Sequence, residues 1–239
     1  MSKAADILSR DDADLELERP RATLAEIAAD KLREFILLEK LPPGAAISER
    51  DVAAALGISR TPLKSALALL EQEGLVEYSV TRRPRVADPS LNTIIESLTV
   101  MGALEALAGG LACASASQSE IEEVADLVRQ MREGSDRLPP LEFFRTDMRM
   151  HDTIVRASGN RALMVTHRQY NARLWRARFV SSRRKAGRAQ TLAEHEAIAA
   201  ALAARDEIAT AAALKTHLSS AVQNIKSARA DREHQKAGS

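Results

Sequence analysis

Residues 48–74 have the sequence SERDVAAALGISRTPLKSALALLEQEG, which we interpret as two helices joined by a tight turn. Ser48 is suited to cap the first helix, and Gly57 allows the turn because glycine adopts positive φ angles easily. Ser59 is suited to cap the second helix, whose first turn holds small polar and basic side chains while its later turns are apolar. This division predicts a helix whose N-terminal end contacts a partner while its body packs in a core.

The flanking segments extend this helix pair into a larger unit. Apolar residues at three- and four-residue steps predict an amphipathic helix over 23–40, and the LPPG sequence at 41–44 ends it. After Gly74, the segment LVEYSVTRRPRVADP alternates apolar and polar positions around a TRRP interruption. This pattern predicts two short strands joined by a basic loop. Three helices followed by a hairpin over 22–88 are typical of a winged helix-turn-helix domain.

Basic and small polar side chains cluster where such a domain faces DNA. The candidates lie before the turn, at the tip of the second helix and in the hairpin loop: Arg50, Arg60, Thr61, Lys64, Arg82 and Arg83. Residues 22–88 contain nine Lys or Arg and ten Asp or Glu, so the domain has no overall basic excess. Attraction to DNA therefore depends on where the charges lie. We interpret the second helix as a recognition helix.

The remainder of the chain is predicted to be a helical bundle. No segment of 90–239 reads as a convincing strand, and helices fit the ranges 91–116, 120–134, 139–158, 160–182, 189–204 and 206–230. Ser119 and Glu122 have the spacing of a capping box at the start of the second of these helices. The predicted fold is therefore mainly α: a winged helix-turn-helix of three helices and a short β-hairpin, then an all-α bundle of about six helices over 90–230.

Composition limits the class of protein further. The 239 residues suffice for two domains, and a charged fraction of 28% with a net charge of +1 is ordinary for a soluble globular chain. The single cysteine, Cys113, excludes an internal disulfide, and its apolar neighbours predict a buried thiol. Residues 1–21 are polar and acid-rich, which predicts a disordered tail without a signal peptide. No apolar run is expected to span a bilayer, so we expect a cytoplasmic protein without a membrane partner.

Three of the five histidines lie in amphipathic helical segments together with one aspartate. Asp147 and His151 are four residues apart, which places both on one helix face about one turn apart. His195 and His217 lie on two further predicted helices, and a bundle can bring distant helices to one centre. One carboxylate and three imidazoles suit a borderline divalent ion such as zinc or nickel. Hydrogen-bonded core histidines and an Asp–His salt bridge fit the same spacing, so both interpretations remain open.

A basic stretch lies between these segments. Residues 168–188 contain no acidic side chain, and three interpretations apply: a solvated face, a pocket for an anionic ligand, or a second surface for DNA. The four-residue spacing of Trp175 and Phe179 favours a packed helix face over a platform for stacked bases. His167, just before the stretch, has basic and polar neighbours, and we expect it to be exposed.

The motifs resemble those of GntR-type transcriptional regulators. LPPG, SERDVA, LGISRTP and EQEGLVE occur in that family's order and spacing. The bundle resembles the FCD effector domain of the FadR-like branch through LEALAGGLA at 104–112, DMRMHDTIVRASGN at 147–160, AEHEAIAAAL at 193–202 and LKTHL at 214–218. The resemblance covers about 22–227. It implies a homodimeric regulator, more often a repressor, whose partners are a palindromic double-stranded DNA operator and a small-molecule effector.

The resemblance also implies roles for particular residues. It implies DNA contacts for Arg50, Arg60, Thr61 and Lys64, with the hairpin acting as a wing nearby. It further implies that a zinc, nickel or manganese ion is held by four side chains and helps to bind an organic acid effector. These implied ligands are Asp147, His151, His195 and His217.

Three positions depart from the family pattern. Lys64 stands where the family usually has arginine, so two-pronged recognition of guanine is lost there. Arg83 replaces a glycine of the wing, and glycine adopts positive φ angles more easily. Met101 stands where an arginine of the family meets the effector's carboxylate, so either another arginine takes over or the effector is less acidic. The candidate effector-binding residues are Met101, Asn160, Arg173 and Arg176.

Two other functions are compatible with the residues alone. An Asp/His₃ centre can activate water, which would make the bundle a metal-dependent hydrolase. Against this, Glu194 and Glu196 are expected to point away from the helix face of His195, which leaves no general base beside the ligands. Alternatively, the bundle only dimerises a DNA-binding protein and its histidines are structural. We expect no catalytic residues and no enzyme activity.

Overall fold

The computed structural model describes residues 22–184 and 187–237, and the predicted tail over 1–21 lies outside these ranges. The N-terminal part contains α1 (Leu24–Leu37), α2 (Glu49–Leu56), α3 (Arg60–Gln72), β1 (Val76–Tyr78) and β2 (Pro84–Val86). The bundle contains α4 (Leu91–Ser115), α5 (Gln118–Gly134), α6 (Pro140–Ala157), α7 (Arg161–Ser182), α8 (Arg188–Ala203) and α9 (Glu207–Ala237). The predicted mainly α fold, a winged helix-turn-helix followed by six helices, is confirmed.

Local signals explain the helix-turn-helix. Ser48 caps α2 by accepting a hydrogen bond from the backbone N–H of Asp51. Gly57 ends α2 with a φ of 66°, a left-handed conformation that glycine adopts without steric cost. Ser59 has the extended backbone of a cap, but its side chain makes no capping bond, unlike our expectation. The turn is therefore set by Gly57 and the apolar faces of α2 and α3 more than by the second serine.

The start of α5 and the end of α9 differ from the prediction by two residues or more. The capping box of α5 is formed by Ser117 and Glu120, so the predicted pair Ser119 and Glu122 is wrong. Both pairs have the same spacing, and the earlier pair is used because α4 ends at Ser115, two residues before Ser117. The last helix continues to Ala237, beyond the predicted end at 230, because no proline or glycine interrupts it before that point.

The winged helix-turn-helix domain has its own core. In the hairpin, β1 pairs antiparallel with β2 and places Val76 opposite Val86. These two valines pack with apolar side chains of all three helices. The buried members from α3 are Leu63, Ala66, Leu67 and Leu70. Burying such a face of α3 leaves only its opposite face and N-terminal end available for DNA.

Helix α4 is the central helix of the bundle. It packs against α6, α7, α8 and α9, and Gly109 allows α9 to approach closely because Leu214 and Thr210 lie directly over it. Contrary to our expectation, α4 is long and apolar enough to span a membrane. Within the described residues 56% of its most apolar window is buried in the bundle, which is typical of a core helix.

Helix α7 joins the two domains. Trp175 packs against the core of the winged helix-turn-helix, and its ring lies edge-on to Phe144 with centroids 4.9 Å apart. Phe144 and Phe179 in turn enclose Leu37 at the end of α1. Arg173 lies directly over Gly74: a Cβ atom added at Gly74 would be 2.9 Å from Cγ of Arg173. These contacts hold the DNA-binding domain against the bundle.

Candidate metal centre and DNA-binding surface

The four predicted metal ligands meet inside the bundle. Asp147 and His151 come from α6, His195 from α8 and His217 from α9, and all four side chains are buried. One ligand atom from each can be chosen so that all four lie within 4.8 Å of one another. His195 Nε2 lies 3.3 Å from His217 Nε2 and 3.2 Å from Asp147 Oδ1, and His151 Nε2 lies 3.4 Å from the same oxygen. The structure thus brings together all four residues.

These residues fit a divalent metal ion. Asp147 Oδ1 and His151 Nε2 are buried without a hydrogen-bond partner, an arrangement that is costly unless a cation satisfies both atoms. Zinc binds histidine nitrogen at about 2.0–2.1 Å, which places tetrahedral ligand atoms about 3.3 Å apart. Three of the separations match this value: Asp147 Oδ1 to His151 Nε2, Asp147 Oδ1 to His195 Nε2, and His195 Nε2 to His217 Nε2. The chemistry of the donors, one carboxylate and three imidazoles, also suits zinc or nickel.

Two carboxylates outside the centre orient two of the imidazoles. Glu105 Oε2 lies 2.8 Å from His151 Nδ1, and Glu194 Oε2 lies 3.1 Å from His217 Nδ1. A proton held on each Nδ1 leaves the Nε2 lone pair facing the centre, which is the tautomer that binds a metal. Glu194 reaches across to α9 and contacts the candidate ligand His217. The expectation that Glu194 points away from the ligands is therefore wrong. Ser220 and Gln190 donate to its other oxygen.

The electrostatics favour the metal-binding protonation states of His217 and Asp147. For His151, burial alone would lower the pKa, but the charge of Glu105 outweighs it and raises that pKa. Burial and, to a smaller extent, the neighbouring His195 lower the pKa of His217 to about 4. Burial alone would raise the pKa of Asp147, but the charge of His195 and the close imidazole nitrogens of His151 and His195 outweigh it and hold that pKa well below its usual value. At neutral pH His217 is therefore neutral and Asp147 is charged, as a metal requires.

Glu105 connects the centre to α7. The fully buried carboxylate accepts a hydrogen bond from Arg178 Nη1 at 2.8 Å and lies 3.2 Å from His167 Nε2. Burial favours a high pKa for Glu105, but Arg178 and His151 hold it well below its usual value. His167 is 2% exposed, so the expectation of an exposed side chain is wrong. His167 lies on the same inward face of α7 as Leu174 and Arg178. Its basic and polar neighbours in sequence lie on other faces of the helix and do not determine its exposure.

A small cavity opens beside the centre. It measures about 20 Å³, which is room for about one water molecule. Its lining contains two ligands and several polar side chains of α7, α8 and α9: Asp147, His217, Arg178, Ser181, Ser182, Thr191, Glu194 and Asn224. Arg178 is thus the arginine that lines this cavity, and sequence reasoning missed it. Its position within the basic stretch 168–188 was the available signal.

The predicted effector-binding residues do not meet at this cavity. Met101 is completely buried among apolar side chains of α4, α7 and α9, one of which is Leu218, next to His217. Asn160 caps α7 by accepting from the backbone N–H of Leu163. Arg173 and Arg176 face the junction with the DNA-binding domain instead. The reason is helical phase: Arg178 leaves α7 on the bundle side, opposite to these two arginines.

The predicted DNA contacts lie on one exposed region of the winged helix-turn-helix. Arg60, Thr61 and Lys64 are exposed at the start of α3, and Arg50 is exposed on α2. Arg50 is paired with the neighbouring Asp51 at 3.1 Å, a surface ion pair that a phosphate can replace at little cost.

The hairpin loop adds further exposed cations. Arg82 and Arg83 are both exposed at its tip. The positive φ of the loop, 54°, falls on Arg82 and not on Arg83, so the loop forms without a glycine at the latter position.

Comparison with known proteins decides the family. Residues 24–86 match the family model "Bacterial regulatory proteins, gntR family", and residues 96–220 match the model "FCD domain". The chain belongs to the GntR family. The two matched ranges of this GntR protein contain, respectively, the exposed basic surface and the buried Asp/His₃ centre.

Relatives and solved structures agree with this family. The GntR chain is 34% identical over 209 residues to an uncharacterized HTH-type transcriptional regulator in an unstable DNA locus of Streptomyces ambofaciens, covering 84% of each chain. It is 33% identical to a probable D-xylose utilization operon transcriptional repressor of Paenarthrobacter nicotinovorans, covering 60% of this chain and 64% of the relative. A putative GntR transcriptional regulator from Rhodococcus sp. RHA1 superposes with a TM-score of 0.67 at 25% identity, covering 85% of this chain and 97% of that one.

The fold has a further counterpart in E. coli McbR/YncC, with a TM-score of 0.73 at 19% identity, covering 89% of this chain and all of that one. These relatives are transcriptional regulators and not enzymes. The protein is therefore a DNA-binding transcriptional regulator with an FCD effector domain.

Proposed function

We propose that this GntR protein is a cytoplasmic, metal-containing, ligand-responsive repressor that binds a palindromic operator as a homodimer. The observation that carries the proposal is the convergence of one aspartate and three histidines inside a bundle attached to a winged helix-turn-helix. Repression is supported by relatives whose names describe repressors, including NanR of Klebsiella aerogenes.

The effector is proposed to be a small organic acid bound beside the metal. Arg178 supports this because its guanidinium lines the cavity together with two ligands, and an arginine is suited to a carboxylate. The cavity of about 20 Å³ requires side-chain movement before an effector enters. Because Arg178 also binds Glu105, an anion that competes for Arg178 would alter the contacts of α7.

The homodimer is proposed to form through the outer face of α4. Val100, Leu107 and Leu111 are exposed on this face, 39%, 52% and 36% respectively, and Glu105 is the one charged residue of 97–119 but is buried. A helix that is apolar on all sides needs a partner for its exposed side. Two copies joined through their bundles would present two recognition helices to a two-fold symmetric site.

Metal binding tests the centre of the proposal. Purified protein without a histidine tag is expected to retain about one divalent ion per chain by elemental analysis. Adding zinc to chelator-treated protein should raise the melting temperature, because a ligand that binds only the folded state stabilises it. His195→Ala should remove this rise, whereas Asp152→Ala, at an exposed carboxylate that is not one of the four ligands, should not. No bound metal and no rise in the wild type would contradict the proposed centre.

DNA binding tests the output of the proposal. Arg60→Ala is expected to weaken binding to an operator selected from random sequences by about 1–3 kcal/mol, since Arg60 lies at the exposed tip of α3. Arg129→Ala is a matched control, because Arg129 is an equally exposed arginine of the bundle that pairs only with Asp126. Fluorescence anisotropy measures both. Equal affinities for the two variants would remove Arg60 from the proposed interface.

A further inference from the structure

A second cavity lies at the junction of the winged helix-turn-helix and the bundle. It measures about 50 Å³, against about 20 Å³ for the cavity at the metal centre. Its walls come from both domains: Ile36 and Leu75 from the winged helix-turn-helix, and Ile94, Val180 and Ile225 from the bundle. We name this space the junction cavity. Cavities with apolar walls at domain interfaces are preferred sites for small molecules.

Three arginines surround the junction cavity. Arg173 and Arg176 come from α7, and Arg229 comes from α9. Asp88, in the linker between the domains, lies 3.9 Å from Arg176 and 3.6 Å from Arg229, and Glu39 lies 3.8 Å from Arg176. Within the described residues these carboxylates pair with Arg176 and Arg229 and not with Arg173, so the guanidinium of Arg173 is the cation available to an anion at this apolar cavity.

We propose that the junction cavity binds a small organic monoanion with an apolar body, of the class of a short-chain carboxylate. The apolar walls would bury the body, and Arg173 would bind the carboxylate, for which the planar guanidinium is geometrically suited. This site is separate from the metal centre, because none of the four ligands and neither Glu105 nor Arg178 lines it. It therefore goes beyond the effector site proposed above.

Occupancy of the junction cavity would act on the relative placement of the two domains. A ligand there touches α1 and the segment after α3 on one side and α7 and α9 on the other. Such a ligand stabilises the placement of the two domains in which both contact it, relative to placements in which they do not. It therefore links the concentration of an organic anion to the position of the recognition helix without involving the metal.

The single tryptophan offers a direct measurement. Trp175 lies on α7 between two of the arginines and packs at the domain junction, so its fluorescence reports on this region. We use hexanoate as the probe, with the full-length protein and excess EDTA to exclude metal. The expected result is a saturable change in emission with hexanoate. Acetate lacks the apolar body and hexanol lacks the charge. Each should bind at least about tenfold more weakly than hexanoate.

Two variants locate the binding site. Arg173→Met keeps the aliphatic stem of an exposed side chain and should weaken hexanoate binding about tenfold by calorimetry. Arg168→Met is the matched control, because Arg168 is an exposed arginine of the same helix that does not line the cavity. Ala228→Leu, which fills the cavity from α9, should abolish saturable binding while leaving the helical content unchanged.

The outcomes separate this inference from the proposed metal site. Absence of saturable hexanoate binding, or equal affinities for Arg173→Met and Arg168→Met, would overturn the inference. Binding that appears only with zinc and is lost in His195→Ala would also overturn it, since the carboxylate would then occupy the metal centre. Binding in EDTA that persists in His195→Ala supports the junction cavity whether or not the metal site exists.

Discussion

At the scale of single residues, Glu105 is central to the candidate metal centre although it is not one of the four ligands. Its carboxylate is 1% exposed and lies within 3.2 Å of polar atoms from His151, His167 and Arg178. A buried carboxylate is tolerated only when it is paired in this way. Glu105 therefore orients a ligand on one side and holds an arginine of the cavity on the other.

Replacing this carboxylate should weaken metal binding. Glu105→Gln keeps the size of the side chain but removes the charge that keeps the Nδ1 proton on His151, and we expect zinc affinity to fall about 10- to 100-fold. Competition with a chromophoric chelator measures it, and circular dichroism checks folding. Glu123→Gln is the control, because Glu123 bonds to Arg156 near the surface and not to a ligand. A zinc affinity equal to that of the control would contradict the orienting role.

Sequence reasoning identified the ligands but missed their supports. The four-residue spacing that one helix imposes predicts Asp147 and His151, the amphipathic helical segments around His195 and His217 add the other two, and the resemblance implies the same four residues. Glu105 was missed although it is the one charged residue in 97–119, a pattern that indicates a buried and partnered charge. Arg178 was missed because seven arginines crowd 168–188, and only the packing of α7 decides which of them faces inward.

At the scale of elements, the contact between α4 and α9 depends on individual glycines of α4. A Cβ atom at Gly109 would collide with Leu214 and lie 2.9 Å from Thr210, whereas one at Gly102 would lie 3.7 Å from Leu218, an ordinary contact distance. Gly109→Ala should therefore destabilise the protein by about 1–3 kcal/mol. Gly102→Ala should be neutral or stabilise it by up to about 1 kcal/mol, because alanine favours a helix. Urea unfolding measures both variants.

The pair Gly102→Ala and Gly109→Ala controls for helix propensity, since both changes lie inside the same helix. Equal unfolding free energies for the two variants would show that α9 does not pack on α4 as described. The helices themselves were largely predictable, because their apolar spacing and the stops at Pro139, Gly159 and Gly187 are local signals. The crossing of α4 and α9 was not, since it depends on which small residues meet across about a hundred positions of sequence.

At the scale of the whole molecule, α7 is the element that contacts both functional regions. Arg178 faces the candidate metal centre, and three residues earlier Trp175 packs against the winged helix-turn-helix. The two regions therefore share one packed helix. The two regions were predictable separately from the sequence, but the helix that joins them was not, because the spacing of Trp175 and Phe179 shows only that the face is packed.

Removing the contact of Trp175 with the winged helix-turn-helix should weaken the association of the two domains and leave the metal centre intact. Trp175→Ala removes a large side chain that contacts Phe144, and we expect a loss of about 3 kcal/mol in stability. Hydrogen exchange should accelerate in α1, which loses its support at Leu37, while zinc affinity stays unchanged. Tyr170→Ala is the matched control, because Tyr170 is an aromatic residue of the same helix that packs only within the bundle. If exchange in α1 accelerated equally in both variants, the loss would be global, and α7 would not be the specific link between the bundle and the DNA-binding domain.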